Sequence, residues 1–279
     1  MRIVRFKANN RYYFGEQDGD MIFALATAYL QDVKTVKATG EVFNINEVEL
    51  LAPCVPSKAI CLGLNYRDHA EEFNFDIPKW PIIFMKPATA LLKPGGEILY
   101  PNDLSRRLDY EGEFTIVIGS VCKDISLAEA EANLSKYVLG YTCGNDVTAR
   151  DLQPKNGQWT IAKSFDTFMP LGPAIETDLD YANLDIKTIH NGKIVQHSNT
   201  KNLIFSVPYI VSYVSNIMTL FPGDVIMTGT SSGVGPMLVG DEITVEIEGI
   251  GKLTNTVAFK HPEKGYKPRK EKKPEKKSE

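Results

Sequence analysis

No stretch of about 18 consecutive apolar residues occurs in this sequence, so no segment reads as a transmembrane helix. The opening MRIVRFKANNRYYFGE has neither the apolar run nor the small-residue cleavage site of a secretory signal, and a cytoplasmic protein is expected. Cysteine is sparse: four residues, none in a C-x-x-C pair, which fits neither a zinc site nor a disulfide framework. Cys61 and Cys143 lie in apolar surroundings and read as small buried hydrophobes. Histidine is equally scarce, with four residues. No Gly-Lys-Ser/Thr follows a glycine-rich loop, and no dinucleotide fingerprint opens a helix. Over residues 1–259 basic residues are fewer than acidic ones, 22 against 31. Residues 260–279 hold nine Lys or Arg against four Glu, a local +5, so the rest carries −9 of the net −4. An acidic body argues against nucleic acid as the main partner.

What remains is an ordinary globular composition. With 279 residues, 43% of them hydrophobic, the chain can bury one large domain and a small one. Residues 1–56 alternate apolar and polar in short runs, ending at Pro53 and Pro56, and read as a small N-terminal domain. There Met1 to Phe6 and Arg11 to Phe14 read as strands, Gly15 to Asp20 as a turn, and Met21 to Tyr29 as a strand passing into a helix. Residues 57–259 form the main domain. Strands are expected at Ala59 to Leu64, Ile82 to Met85, Phe114 to Ile118, Tyr137 to Tyr141, Asp224 to Met227 and Glu242 to Ile247. Helical pieces are expected at Asn65 to Glu72, Leu127 to Leu134 and Leu203 to Met218, the last interrupted early by Pro208. Strands outnumber helices without βαβ alternation, so an α+β, predominantly β architecture is expected. Residues 260–279 have no apolar period and several prolines, and read as a disordered basic tail.

Five segments carry possible chemistry. In DYEGE, Glu111 and Glu113 are two apart and lead into a strand, so their carboxylates share a side. They would repel unless a cation sits between them, and an all-oxygen pair suits a hard ion such as Mg²⁺ or Mn²⁺. A solvated strand face fits the pair about as well. In NDVTARD, Asp146 at a strand end is a third carboxylate, or an Asx-turn; Arg150 and Asp151 read as a structural ion pair. In NYRDHAEE, His69 and Glu72 meet on one helical face, as a carboxylate-oriented base or a surface pair. His190 and His197 look structural. TGTSSGVG follows a strand and offers hydroxyls and backbone N–H groups to a carboxylate, or is a flexible turn. Lys163, in WTIAKSFD, stabilises an oxyanion or snorkels to solvent.

Taken together and in this order, CLGLNYRDHAEE, FMKPATAL, LDYEGEFTIVIG, GYTCGNDVTARDLQ, QWTIAKSFDTFMPLGP, SVPYIVSYVS and GDVIMTGTSSGVGP resemble the fumarylacetoacetate hydrolase family, over about residues 60–257. The resemblance is to its acylpyruvase and 2-hydroxyhepta-2,4-diene-1,7-dioate isomerase-like branch. It implies a mixed β-sandwich roll, usually a homodimer. It implies Mg²⁺ or Mn²⁺ on Glu111, Glu113 and Asp146, and a catalytic dyad of His69 and Glu72 on a segment that orders over the substrate. Lys163 would face the reacting carbonyl, and Thr230 would hold the substrate carboxylate. Gln153 and Arg67 would complete the substrate-binding set. Ser231 stands where the family often has proline, which loosens that loop, and Phe114–Thr115 replace a commoner Leu–Ala pair. The implied reaction is carbon–carbon hydrolysis of a 2,4-dioxo acid to a carboxylic acid and pyruvate. Decarboxylation, as for oxaloacetate, and enol–keto isomerisation are the alternatives, and a catalytically idle binding protein is a third.

Overall fold

A computed structural model describes residues 1–72, 74, 76–154 and 157–266. Three strands at the centre are buried at every residue: Gly112–Ile118, Val138–Asn145 and Val225–Thr230. Such runs are continuous rather than alternating because both faces of the sheet are covered. Ile60, Ile116 and Ile226 point to one core, while Cys61, Val117 and Met227, each one residue on, point to the core on the opposite face.

The main sheet runs, edge to edge, Ala38–Asn44, Met21–Leu25, Arg11–Asp18, Arg2–Ala8, Met169–Glu176, Val138–Asn145, Gly112–Ile118, Val225–Thr230, Ala59–Leu62 and Ile83–Lys86. The N-terminal strands therefore continue the sheet of the main body through the pair Arg2–Ala8 and Met169–Glu176. A second sheet, ordered Lys193–Asn199, Asp185–His190, Glu242–Ile247, Gly251–Phe259 and Glu97–Tyr100, packs across the first core through Ile186, Val245, Ile247 and Leu253. Three short strands, Thr148–Ala149, Leu108–Tyr110 and Gly235–Met237, form a third sheet beside the site. The molecule is predominantly β with mixed sheets and few helices, as expected.

Several local expectations shift. Arg11–Asp18 is one strand, and the reversal comes at Gly19, whose φ of 56° suits glycine. Met21–Leu25 is a strand, but a short 3₁₀ turn at Leu30–Asp32 follows instead of an α-helix. The helix expected over Leu203 to Met218 is Val207–Ser215, capped by Ser206 with Pro208 in its first turn, where a missing N–H costs nothing. Residues 260–266 lie on the body: Asn102 Nδ2 donates to His261 O (2.8 Å) and Gly265 O (2.7 Å), and the Tyr266 ring meets Tyr100. The remainder of the basic tail, 267–279, lies outside the described residues. No helix among the described residues is long and apolar enough to cross a membrane.

Candidate active site

Glu111 occupies the break between Leu108–Tyr110 and Gly112–Ile118, Glu113 lies one residue inside the second of these strands, and Asp146 follows Val138–Asn145. Antiparallel pairing sets Gly112 opposite Asn145. The two strand ends are stitched together where Asp146 N donates to Glu111 O (2.8 Å) and Glu111 N donates to Asn145 Oδ1 (3.0 Å). Carboxylate oxygens of Glu111, Glu113 and Asp146 consequently lie within 4.8 Å of one another, and all three residues are buried.

Cations surround two of the three. Lys163, on the short helix Thr160–Lys163 and 2% exposed, donates to Asp146 Oδ2 (2.5 Å) and Glu111 Oε2 (2.9 Å). It is therefore neither snorkelling nor in an apolar pocket. Arg150 donates through its guanidinium fork to Asp109 Oδ2 (2.8 Å), Gln153 Oε1 (2.5 Å) and Glu111 Oε1. The expected Arg150–Asp151 pair does not form; Asp151 instead accepts from Ser105 Oγ (2.6 Å) and Arg106 N (2.9 Å). A half-buried guanidinium is better satisfied by two buried carboxylates than by its exposed neighbour. Lys86, 1% exposed, lies 2.7 Å from Asp146 Oδ1, yet its three N–H groups are aimed at the carbonyls of Val147 (3.0 Å), Lys163 (2.8 Å) and Phe168 (2.7 Å).

These contacts divide the acids. Burial alone would raise the Glu111 carboxyl, but Lys163 and then Arg150 overcome it and hold it well below the usual range. Glu113 is pushed well above its ordinary value by burial, then by Asp146 and Glu111. Its Oε2 accepts from Gly229 N (2.8 Å). Glu113 Oε1 is buried with no hydrogen-bond partner, and Asp146 Oδ1 is buried with only the Lys86 ammonium beside it, at 2.7 Å. A buried carboxylate oxygen with no donor is costly. A divalent cation among the three residues removes that cost, and an all-oxygen donor set suits a hard ion. The three residues fit a metal.

The dyad residues sit on the helix Arg67–Glu72. His69 Nδ1 is 3.5 Å from Glu72 Oε2, and that carboxylate also accepts from Gly233 N (3.1 Å). Gly233 has φ of 92°, and a Cβ there would stand 2.3 Å from Val195 O, so only glycine brings this loop so close. The segment before the helix is pinned by Asn65, which donates to Thr228 O (2.7 Å) and accepts from Phe205 N (2.9 Å). Thr230 pairs with Glu113 across the strands. Its hydroxyl donates to Gly112 O (2.9 Å) and accepts from Gln196 (2.9 Å), so it is already engaged within the protein. Gln153 is reached through Arg150, and Arg67 is exposed. Lys86, Arg150 and Gln196 were missed as site residues. A lysine closing the run Ile82-Ile-Phe-Met, where the strand should be buried, is the signal that marks Lys86; nothing local marks the others.

A family model described as fumarylacetoacetate (FAA) hydrolase C-terminal matches residues 58–258, and one described as Rv2993c-like, N-terminal, matches residues 1–53. The chain belongs to the fumarylacetoacetate hydrolase family. Among curated relatives of this family, the oxaloacetate tautomerase Fahd2a, mitochondrial, of Rattus norvegicus is 43% identical over 76% of this chain and 70% of its own length. The solved 5-carboxymethyl-2-hydroxymuconate delta-isomerase of Mycobacterium smegmatis is 42% identical, with a TM-score of 0.84 over 93% of this chain and all of that one. The maleylpyruvate hydrolase of Sphingobium sp. SYK-6, solved with manganese(II) and pyruvate, is 28% identical with a TM-score of 0.76 over 93% of this chain and 99% of its own. The fumarylacetoacetate hydrolase fold thus carries tautomerase, isomerase and hydrolase activities in these relatives, and the fold does not choose among them.

Proposed function

We propose that this family member is a divalent-metal-dependent hydrolase that cleaves a carbon–carbon bond in an acylpyruvate-type 2,4-dioxo acid, giving a carboxylic acid and pyruvate. The observation that carries the reading is the buried triad of Glu111, Glu113 and Asp146, in which Glu113 Oε1 has no protein hydrogen-bond partner and Asp146 Oδ1 has only the Lys86 ammonium beside it. Mg²⁺ or Mn²⁺ held there supplies Lewis-acid polarisation of a 2-oxo-carboxylate. The manganese and pyruvate in the maleylpyruvate hydrolase structure support both the ion class and the product.

The chain's own groups supply the rest. His69, oriented by Glu72, takes a proton from water as the water oxygen bonds to the distal carbonyl carbon. Lys163 uses two of its three N–H groups on Asp146 and Glu111, and the third is assigned to the developing oxyanion. The bond to the pyruvate fragment then breaks, its electron pair passes to that fragment as an enolate, and His69 returns the proton to carbon. Gln153, Arg67 and Thr230 are assigned to the substrate, Thr230 through its backbone because its hydroxyl is engaged. A homodimer, proposed on family resemblance, and a cytoplasmic location complete the proposal.

A second reading, enol–keto tautomerisation or decarboxylation of a 2-oxo dicarboxylate, has one observation in its favour. The relatives at 43% and 42% identity bear the names of a tautomerase and an isomerase, whereas the maleylpyruvate hydrolase stands at 28% and a fumarylacetoacetate hydrolase of Exiguobacterium antarcticum at 35%. The test is a product screen with Mg²⁺ or Mn²⁺ over acylpyruvates, oxaloacetate and sugar-derived 2,4-dioxo acids, with Asp146→Ala as control. Pyruvate released from an acylpyruvate by the wild type alone supports hydrolysis. Turnover confined to enol–keto exchange overturns it, and equal turnover by Asp146→Ala removes the metal from the scheme.

A further inference from the structure

The strand Lys193–Asn199 carries no residue of the triad or the dyad, yet it reaches both. Gln196 and Ser198 are two apart, so they share one face, and they are 3% and 7% exposed. Gln196 has all its hydrogen-bonding capacity in use. Its Oε1 accepts from Gly112 N (3.0 Å), the backbone between the two glutamates, and from Thr188 Oγ1 (2.7 Å). Its Nε2 donates to Thr230 Oγ1 (2.9 Å) and Ser231 O (3.0 Å). Ser198 Oγ donates to Asp68 Oδ2, in the residue before His69, and accepts from Asn202 Nδ2 (3.1 Å).

Two further contacts show how closely this strand is fitted. A Cβ on Gly112 would fall 2.1 Å from Thr188 Oγ1, in the residue paired directly with Gln196. The carbonyl of Val195, next to Gln196, lies against Gly233, whose N–H holds Glu72. One strand therefore touches the backbone of the metal-ligand segment, the loop at its mouth and the helix of the dyad.

We infer that Gln196 and Ser198 are positioning residues: Gln196 sets the metal half of the site and Ser198 sets the dyad half, so that one rigid strand fixes the separation of the two. The helix Arg67–Glu72 has six residues, too few to be stable on its own. Its placement depends on the side-chain bonds at its ends, through Asp68 to Ser198 and through Glu72 to Gly233. A base displaced by about 1 Å loses up to about 100-fold in rate. Loss of a group that orients a metal ligand lowers metal affinity by about 10–100-fold. The inference rests on the reading that triad and dyad form one active site.

The test pairs Ser198→Ala with Gln196→Leu, using Mn²⁺ alone for binding, hydrogen–deuterium exchange for helix order, and acylpyruvate turnover. Ser198→Ala should bind Mn²⁺ within about twofold of wild type and exchange faster over residues 67–72. It should lose about tenfold or more in kcat, and Ser198→Thr, which keeps the hydroxyl, should restore it. Gln196→Leu should weaken Mn²⁺ binding by about tenfold or more while exchange over 67–72 changes less. If that variant fails to fold, Gln196→Asn, which keeps the amide but shortens its reach by one methylene, serves the same comparison. Unchanged exchange and turnover in Ser198→Ala overturn the dyad half. Unchanged Mn²⁺ affinity in the Gln196 variant overturns the metal half. Equal damage to both readouts by both variants means a general structural role and overturns the division. If wild type turns over no substrate in the panel, the proposed reaction fails, while the exchange and Mn²⁺ measurements still decide the positioning roles.

Discussion

Lys86 directs all three of its N–H groups at carbonyls of the segments that carry Asp146 and Lys163, with its charge 2.7 Å from Asp146 Oδ1. Burial holds its proton affinity below the ordinary lysine value, and Asp146 opposes that shift. Lys86→Met strips three carbonyls of their donor and leaves Asp146 with one cation. We expect it to lower the unfolding free energy by about 3 kcal/mol, measured by urea denaturation; a loss under about 1 kcal/mol would contradict the role. His69 is tested differently, because it holds chemistry rather than structure. His69→Ala should lose acylpyruvate cleavage by about 10²–10⁴-fold and keep its Mn²⁺ affinity by calorimetric titration. Decarboxylation, which draws mainly on the Lewis acid, should suffer less. Lost Mn²⁺ binding would make His69 a ligand, and full cleavage activity would leave the water without a base.

At the scale of elements, the parallel pair of Ala59–Leu62 with Val225–Thr230 is seeded at Asp224. Its buried carboxylate accepts from Ser57 N (3.0 Å), Ser57 Oγ (2.6 Å), Lys58 N (3.1 Å), Lys58 Nζ (2.5 Å) and Phe221 N (2.9 Å). Burial acts to raise this carboxyl, but Lys58, Ser57 and the Phe221 N–H outweigh it and hold it below its ordinary value. A folded-state pKa below the unfolded one means that the charge stabilises the fold above about pH 4. That contribution is lost as pH falls through the folded value. Asp224→Asn should therefore cost about 2 kcal/mol at pH 7. The unfolding curves of variant and wild type should converge as pH drops from 5 towards 3. A gap that stays constant over that range would show the carboxylate's charge to be irrelevant.

Over the whole molecule, the C-terminal segment closes against the second sheet after its last long strand, Gly251–Phe259. Val239 N donates to Tyr266 Oη (2.6 Å), and the Tyr266 ring lies 4.8 Å from that of Phe259 and 5.6 Å from that of Tyr100. A chain ending at Tyr266 keeps the Asn102, Val239 and Tyr100 contacts and loses only a stretch whose composition predicts no packed core, so it should melt within about 1 °C of the full chain. A chain ending at Phe259 should lose about 2 kcal/mol, read as a lowered thermal midpoint. Equal midpoints for the two truncations would mean that the Tyr266 contacts add nothing.

Much of this was legible without coordinates, for local reasons. Continuous apolar runs such as Ile226 and its neighbours, and the alternation of Glu242–Ile247, report burial on two faces or one, which depends on nearest neighbours along the chain. The spacing of His69 and Glu72 is a property of a single helical turn, and the structure holds them 3.5 Å apart. The motif segments from CLGLNYRDHAEE to GDVIMTGTSSGVGP, taken in order, carried the likeness to a family and its fold. Other features have no local trace. Glu111 and Asp146 are 35 positions apart, and only antiparallel pairing of two strand ends sets their oxygens within 4.8 Å. Arg150 has an acid beside it in sequence, Asp151, but its fork goes to Asp109 and Glu111, because those carboxylates are buried and need a cation while Asp151 is exposed. Gln196 and Ser198 look like ordinary polar residues of a surface strand. Their reach to Gly112 and Asp68, across 84 and 130 positions, is decided by how one sheet lies on another.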